Sequence, residues 1–245
     1  MGVWFEKVSI GALVDRAAAR FGARQALFYE GKGWSFADLK VETDRVAKGL
    51  LALGIQPGEK VSLWMPNCPE WLSTLFAVMK IGAILVPINT RFRTAELEYV
   101  VRQSDSTTLI SVDCSGPVRY SEMLCELCPD LHQSDPNHVS VALLPDLQRI
   151  IVLGAQRLAG THAWPEMVAH GEMIPDAALA ERQRAVDPDA TALIMYTSGT
   201  TGFPKGVMHS HNILRTIIDQ ANRMGVTPRD VILMYLPLLD RKSVV

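Results

Sequence analysis

Short apolar runs alternate with helical patterns along the first half of the chain, and this alternation restricts the fold more than any other feature. Apolar runs typical of buried strands lie at 60–65, 83–86 and 107–112, with helical patterns at 69–80 and from Thr94 onward. Parallel strands joined by helical crossovers place helices on the faces of a sheet. The sequence therefore predicts an α/β fold with a doubly wound, parallel-rich sheet flanked by helices.

The rest of the chain extends this prediction with further helices and strands. A helical stripe begins at Ser9, and Ser35 with Asp38 fits a capping box that opens the next helix. Ser210 is placed to cap a late helix. Four apolar runs predict additional strands, at 149–153, 191–196, 205–208 and 231–235.

A loop rich in hydroxyl groups and glycine lies between two of these predicted strands. Its sequence is Thr197-Ser198-Gly199-Thr200-Thr201-Gly202-Phe203-Pro204-Lys205. Glycines let backbone N–H groups approach an anion, while the hydroxyl groups add donors and the lysine adds a positive charge. The alternative is a flexible surface turn, which has no need of this whole set of residues. We therefore expect a cradle for the polyphosphate of a nucleotide.

The spacing of this loop differs from two well-known nucleotide-binding patterns. Gly199 and Gly202 are three residues apart, and Gly206 follows Lys205 where the Walker A pattern has serine or threonine. The spacing also fails to fit the G-x-G-x-x-G pattern of dinucleotide-binding proteins. A P-loop NTPase or a dinucleotide-binding domain is therefore disfavoured.

Composition and charge restrict the partners and the location. The 245 residues carry a formal net charge of −2, which gives no basic footprint for nucleic acid. No apolar run reaches membrane-spanning length, and the first seven residues do not resemble a signal or transit peptide. We expect a cytoplasmic protein that binds small molecules, without nucleic acid and without a transmembrane segment.

Four cysteines raise the question of a metal or redox site. Cys125 and Cys128 have C-x-x-C spacing, and His132 and His138 follow them, so zinc is one interpretation. However, residues 120–127 have a helical pattern and no second C-x-x-C is present. Buried free thiols are favoured, and no metal ligand is predicted.

The residues from Tyr196 to Val207 resemble the AMP-binding motif of the adenylate-forming enzymes, and the match is nearest to the fatty-acyl-CoA synthetases. The resemblance extends from about residue 9 to residue 238 and is weakest in 113–185. It implies that residues 1–245 form the N-terminal part of an AMP-binding domain. Upstream runs that also resemble the family are Trp34-Ser35-Phe36 with Leu39, Gly54-Ile55-Gln56-Pro57-Gly58-Glu59-Lys60-Val61, Pro66-Asn67 with Glu70-Trp71, Gly82-Ala83 with Val86-Pro87-Ile88-Asn89, and Glu96-Leu97 with Ser104.

The resemblance implies a two-step ligation of a medium- or long-chain carboxylic acid to coenzyme A. The carboxylate attacks the α-phosphate of Mg²⁺-bound ATP, and the thiol of coenzyme A then displaces AMP. The family's phosphate-binding positions match Thr197, Ser198, Gly199, Thr200, Thr201, Gly202 and Lys205. For His209 and His211, a role in setting the next helix is favoured over catalysis, because neither has a recognisable acid–base partner.

The chain departs from the family's pattern near its end. Leu236-Pro237-Leu238 resembles a motif that continues in the family into an aromatic residue and a histidine, whereas Leu239 and Asp240 follow here. The family's later adenine, ribose and C-terminal-domain motifs are also absent from the sequence. The expectation is an N-terminal fragment, without a complete catalytic set or C-terminal domain, that is inactive by itself and has uncovered apolar surfaces. The alternative is a non-catalytic regulatory module that binds a nucleotide or an acyl group.

Overall fold

The computed structural model describes residues 5–155, 157–197, 203–234 and 236–238. The strands are β1 (Gln25–Tyr29), β2 (Lys32–Ser35), β3 (Lys60–Trp64), β4 (Ile84–Pro87), β5 (Ser106–Val112), β6 (Cys114–Ser115), β7 (Val118–Arg119), β8 (Arg149–Leu153), β9 (His162–Ala163), β10 (Thr191–Thr197) and β11 (Lys205–Ser210). The helices are α1 (Leu13–Phe21), α2 (Phe36–Ala52), α3 (Pro69–Lys80), α4 (Thr94–Gln103), α5 (Tyr120–Leu127), α6 (Trp164–His170), α7 (Asp176–Arg184) and α8 (Leu214–Arg223).

Seven strands form one sheet in the order β11-β10-β4-β3-β5-β8-β9. All neighbouring pairs are parallel except β10 and β11, which pair antiparallel. The β1–β2 and β6–β7 pairs are separate two-stranded sheets. The structure thus confirms the α/β class and the parallel-rich sheet that the sequence predicts.

The hydrophobic core lies around the central strands. Val61 and Leu63 of β3, Leu85 of β4 and Ile110 of β5 are completely buried. Helix α2 packs against α1, α3 and α6, while α4 packs against α5 and β5. These contacts explain why the strands read as nearly continuous apolar runs, as is typical of parallel strands covered by helices.

The start of α2 confirms the predicted capping box. The Ser35 Oγ accepts a hydrogen bond from the Asp38 N–H at 3.0 Å, and the Asp38 Oδ2 accepts one from the Ser35 N–H at 2.9 Å. Each side chain satisfies a backbone donor that a helix leaves unpaired in its first turn. This local sequence signal therefore fixes the entry of the chain into α2.

A charged side chain lies inside the interface between the N-terminal helices. Lys80, at the end of α3, is only 1% exposed, and its Nζ lies 3.0 Å from Asp15 of α1 and 2.5 Å from Asp44 of α2. A buried ammonium group needs such partners because isolated burial of charge is very unfavourable. The ion pairs tie three helices together.

The strand predicted at 231–235 is wrong for its described part. Residues 231–234 have no regular secondary structure, and Val231 and Leu233 are 95% and 82% exposed. A strand requires a hydrogen-bonded neighbour as well as apolar residues. None of the described strands pairs with this segment.

The sequence contains no apolar run of membrane-spanning length, and the structure agrees for its described ranges. There, the helices are too short or too polar to cross a lipid bilayer.

Candidate phosphate-binding site

The two strands that flank the hydroxyl-rich loop form an antiparallel hairpin. Their register runs from the pair Thr191–Ser210 to the pair Thr197–Lys205, with one irregularity between Thr191 and Leu193. The sequence predicts one strand at 191–196 and another that begins at Lys205, and both strands are confirmed, with the first extending to Thr197. The register places Thr197 directly opposite Lys205 at the base of the loop.

This base lies at the carboxyl edge of the parallel strands. Leu193 of β10 pairs in parallel with Leu85 of β4, and β4 pairs in parallel with β3. Thr197, the last residue of β10, therefore lies at the same edge as the carboxyl ends of β3 and β4. In open α/β sheets, ligands bind in the crevice outside these carboxyl ends.

Of the predicted phosphate-binding residues, the structure brings two together. Thr197 is half-buried and Lys205 is exposed, so the ammonium group is open to solvent. Across the described ranges, Lys205 makes no ion pair that would neutralise it. The other predicted positions, Ser198, Gly199, Thr200, Thr201 and Gly202, lie outside the described residues.

Gly206 allows the two strands to approach closely next to the loop. A Cβ at this position would lie 2.9 Å from Cγ2 of Ile194 and 3.3 Å from Cζ of Tyr196. Contacts this short are tighter than normal packing, so any side chain here would displace its neighbours. Packing against Ile194 and Tyr196 therefore explains why position 206 is a glycine, independently of any role of the loop in phosphate binding.

Helix α4 contacts both ends of the loop, which the sequence interpretation did not predict. The Tyr99 hydroxyl donates a hydrogen bond to the carbonyl of Pro204 at 3.1 Å, and its ring lies 5.3 Å from the ring of Phe203. One turn further along, Oε1 of Gln103 accepts a hydrogen bond from the Tyr196 hydroxyl. The sequence signal for these contacts is the i, i+4 spacing of Tyr99 and Gln103, because it puts both side chains on one face of the helix.

The Tyr196 phenol is neutral throughout the physiological range. Burial raises its pKa to about 12, the neighbouring Tyr99 adds to this, and a hydrogen bond with Ser104 opposes it. A neutral phenol keeps its O–H and can therefore serve as a hydrogen-bond donor to Gln103.

Asn67, just after β3, binds a distant segment of the chain. Its Nδ2 donates to the carbonyl of Leu236 at 2.8 Å, and its Oδ1 accepts from the N–H of Leu238 at 2.8 Å. The side-chain amide of Asn67 thus uses its donor to bind a backbone carbonyl and its acceptor to bind a backbone N–H of the segment 236–238. The segment whose sequence resembles the family's acyl-site motif is held at the carboxyl edge of β3.

His211 makes a structural contact with the N-terminal segment, and its predicted role in setting the next helix stays a prediction. Its side chain is 1% exposed, and its Nδ1 accepts a hydrogen bond from the N–H of Ile10 at 3.0 Å. Burial lowers the pKa of this imidazole, with a smaller opposing effect from Asp187. The neutral ring therefore anchors the N-terminal segment to the turn before α8.

All four cysteines are free thiols, but the predicted burial is confirmed only for Cys128, because Cys68 and Cys114 are half-buried and Cys125 is exposed. Cys128 is buried and burial raises its pKa to about 11, whereas Cys125 is exposed on α5. In the part of the chain that the structure describes, no three His, Cys, Asp or Glu side chains are grouped so that they could hold a metal ion.

The chain is similar in sequence to known proteins over most of its length. The sequence profile described as "AMP-binding enzyme" matches residues 14–239. YngI of Bacillus subtilis, provisionally named as an acyl-CoA synthetase, is 34% identical over 232 residues, which is 94% of this chain and 42% of YngI. The mitochondrial medium-chain acyl-CoA ligase ACSF2 of Mus musculus is 33% identical over 235 residues, with 94% of this chain and 38% of ACSF2 covered.

A solved structure shares the fold over almost the whole chain. A protein of Rhodopseudomonas palustris, provisionally named as a long-chain-fatty-acid CoA ligase, superimposes with a TM-score of 0.75 at 21% identity. The match covers 96% of this chain and 52% of that protein. The chain therefore spans about two-fifths of the length of the two curated relatives and about half of the solved one.

Proposed function

The chain belongs to the AMP-binding enzyme family, and from this premise we propose that it forms the polyphosphate-binding part of an ATP-dependent acyl-CoA ligase. The single observation that carries the proposal is the β10–β11 hairpin, which puts Thr197 opposite Lys205 at the carboxyl edge of the sheet, where no described carboxylate pairs with the lysine. We also propose that residues 1–245 are the N-terminal part of the AMP-binding domain, with phosphate-binding positions Thr197 to Gly202 and Lys205.

The proposed reaction transfers an acyl group in two balanced steps. A carboxylate oxygen attacks the α-phosphorus of ATP, the bond to the bridging oxygen breaks, and pyrophosphate leaves. The thiol sulfur of coenzyme A then attacks the acyl carbon, the bond from that carbon to the phosphate oxygen breaks, AMP leaves, and the thiol proton is released to water. The names of the relatives favour a medium- or long-chain carboxylic acid as the substrate.

The hairpin contributes to the first step by stabilising negative charge. Pyrophosphate carries several charges as it leaves, and donors placed in advance around the phosphates stabilise that charge most effectively. Lys205 supplies a compact ammonium group that suits phosphate. The hydroxyl group of Thr197 supplies a donor across the hairpin from Lys205.

Magnesium enters this proposal as part of the Mg²⁺–ATP substrate. The grouping of His, Cys, Asp and Glu within the described ranges offers no cage of three or more ligands for a cation. Mg²⁺ characteristically keeps several waters and binds through substrate phosphates, so such a cage is not required. A magnesium ion bound mainly by ATP oxygens fits these residues.

Calorimetric titration of the 245-residue protein with ATP tests this function. Lys205→Ala should weaken ATP binding about tenfold, because it removes one charge-assisted phosphate contact. Lys32→Ala is the matched control, since Lys32 is an exposed lysine on the separate β1–β2 sheet and should leave the affinity unchanged. Equal ATP affinity in the Lys205→Ala variant and the parent protein contradicts the proposal.

Acid-dependent exchange of pyrophosphate into ATP addresses the complete first step. Because the match covers only about two-fifths of the curated relatives, we expect the 245 residues by themselves to support little exchange with medium- or long-chain acids. Robust exchange would show that these residues suffice for adenylation and would overturn the assignment of a partial site.

A further inference from the structure

We propose that Tyr99 and Gln103 of α4 are positioning residues that hold the two ends of the hairpin, and thereby Thr197 and Lys205, in place for phosphate binding. The inference rests on the proposed function, but it concerns a different part of the chain. Neither residue belongs to the hydroxyl-rich loop, and each acts through a neighbouring residue of the hairpin.

The two contacts lie on opposite sides of the loop. Gln103 binds the hydroxyl of Tyr196, the residue immediately before Thr197. Tyr99 binds the carbonyl of Pro204, the residue immediately before Lys205. One helix face thus contacts β10 and the loop residue just before β11, each one residue away from a proposed phosphate-binding side chain.

Helix α4 is firmly embedded, so it can serve as a support for the hairpin. Leu97, Val100 and Val101 on its inner face are at most 1% exposed. The N-cap region adds a hydrogen bond from the Arg93 N–H to the Glu96 carboxylate at 2.9 Å. A residue that is held by a packed helix restricts its partner far more than a residue on an exposed loop does.

Tyr99 combines two separable contacts with the hairpin. Its ring packs on the ring of Phe203, which is itself 66% exposed, and its hydroxyl binds the Pro204 carbonyl. Tyr99→Phe removes the hydrogen bond and keeps the ring packing. This substitution therefore tests positioning with little risk of unfolding.

Hydrogen–deuterium exchange of the peptide that spans residues 196–206 tests the support directly and requires no ligand. Tyr99→Phe and Gln103→Ala should each speed exchange in this peptide about fivefold, the effect expected from losing one hydrogen bond. Gln103→Glu should restore slow exchange because a carboxylate also accepts from Tyr196. Tyr29→Phe, which removes a hydroxyl from β1, should leave the peptide unchanged.

Titration with inorganic pyrophosphate tests whether the support matters for binding. Each of the two variants should weaken binding about fivefold. Tyr99→Phe should not weaken it further when Lys205→Ala is already present, because Tyr99 acts through Pro204 on Lys205. A purely structural role would not produce this dependence on Lys205.

The exchange and pyrophosphate measurements distinguish failure of the positioning role from failure of the proposed phosphate site. Unchanged exchange in both variants, or faster exchange with unchanged pyrophosphate affinity, overturns the positioning role. Failure of the parent protein to bind pyrophosphate counts against the proposed function, and the exchange measurement still decides whether α4 supports the hairpin.

Discussion

The centre of the large sheet and the segment after α8 contain the same kinds of apolar residues but bury them very differently. Leu63 of β3 and Leu85 of β4 are completely buried, whereas Leu233 and Val231, after α8, are 82% and 95% exposed. On α8 itself, Leu214 is the one residue of the described helix that is buried. The chain therefore has a well-packed core around the central strands and an uncovered apolar surface in the segment after α8.

This difference shows that burial depends on neighbours as well as on composition. The central strands have a strand on each side, and helices pack against the sheet. At the other end, β11 is an edge strand, with Met208 70% exposed, and no further strand among the described residues pairs with it. Exposed apolar patches of this kind mark interaction surfaces or aggregation sites.

The largest expected contrast comes from one substitution made in each region. Leu63→Ala should lower the free energy of unfolding by about 3 kcal/mol, because it leaves a cavity between packed strands and helices. Leu233→Ala should change it by less than about 0.5 kcal/mol, since an exposed leucine loses few contacts. Urea denaturation followed by circular dichroism measures both; similar losses would contradict the division into two regions.

The buried ion pairs of Lys80 should give the next largest effect. Lys80→Ala removes the buried partner of Asp15 and Asp44 and should cost about 2 kcal/mol, because both carboxylates keep Lys40 as a second partner and some access to water. Lys7→Ala breaks an exposed pair with Asp189 and should cost less than about 0.5 kcal/mol. Urea denaturation measures both variants. Equal losses of unfolding free energy in Lys80→Ala and Lys7→Ala would show that the buried position of Lys80 adds nothing to the stability from its ion pairs.

Acidification should weaken the contact between the N-terminal segment and the turn before α8. The pKa of His211 is lowered in the folded state, so the unfolded chain takes up the proton first and stability falls as the pH drops below about 6.5. Protonation also places a hydrogen on Nδ1, which can then no longer accept from Ile10.

This pH dependence can be isolated by two substitutions. His211→Gln should flatten the fall in unfolding free energy between pH 7 and pH 5, whereas His138→Gln, at an exposed position, should not. An identical slope for the parent protein and His211→Gln would rule out this contribution.

The smallest effect on stability is expected from making the uncovered surface polar. Ile232→Ser combined with Leu233→Ser should leave the free energy of unfolding within about 0.5 kcal/mol and should reduce binding of the dye ANS. Loss of stability with unchanged dye binding would mean that these side chains are packed rather than exposed.

Much of the fold follows from local patterns in the sequence. The strand at Arg149–Leu153 and the helix at Pro69–Lys80 have the predicted bounds, and the Ser35–Asp38 capping box is confirmed. The strand predicted at 231–235 is wrong over its described part, 231–234, because an apolar run alone does not supply a neighbouring strand.

The candidate site is predictable only in part, for a related reason. The hydroxyl-rich loop is a contiguous signal, so the positions of Thr197 and Lys205 follow from the pattern. The contacts of Tyr99 with Pro204 and of Asn67 with Leu236 join residues 105 and 169 positions apart. Such pairs are set by the order of strands in the sheet, which a local pattern does not specify.

Chemical modification of Lys205 tests the central claim most directly. The protein is treated with an amine-acetylating reagent with and without ATP or pyrophosphate, and each lysine is quantified by peptide mass spectrometry. The claim that the hairpin binds nucleotide phosphates predicts that both ligands protect Lys205 while Lys32 remains reactive. Equal modification of Lys205 with and without these ligands would contradict it.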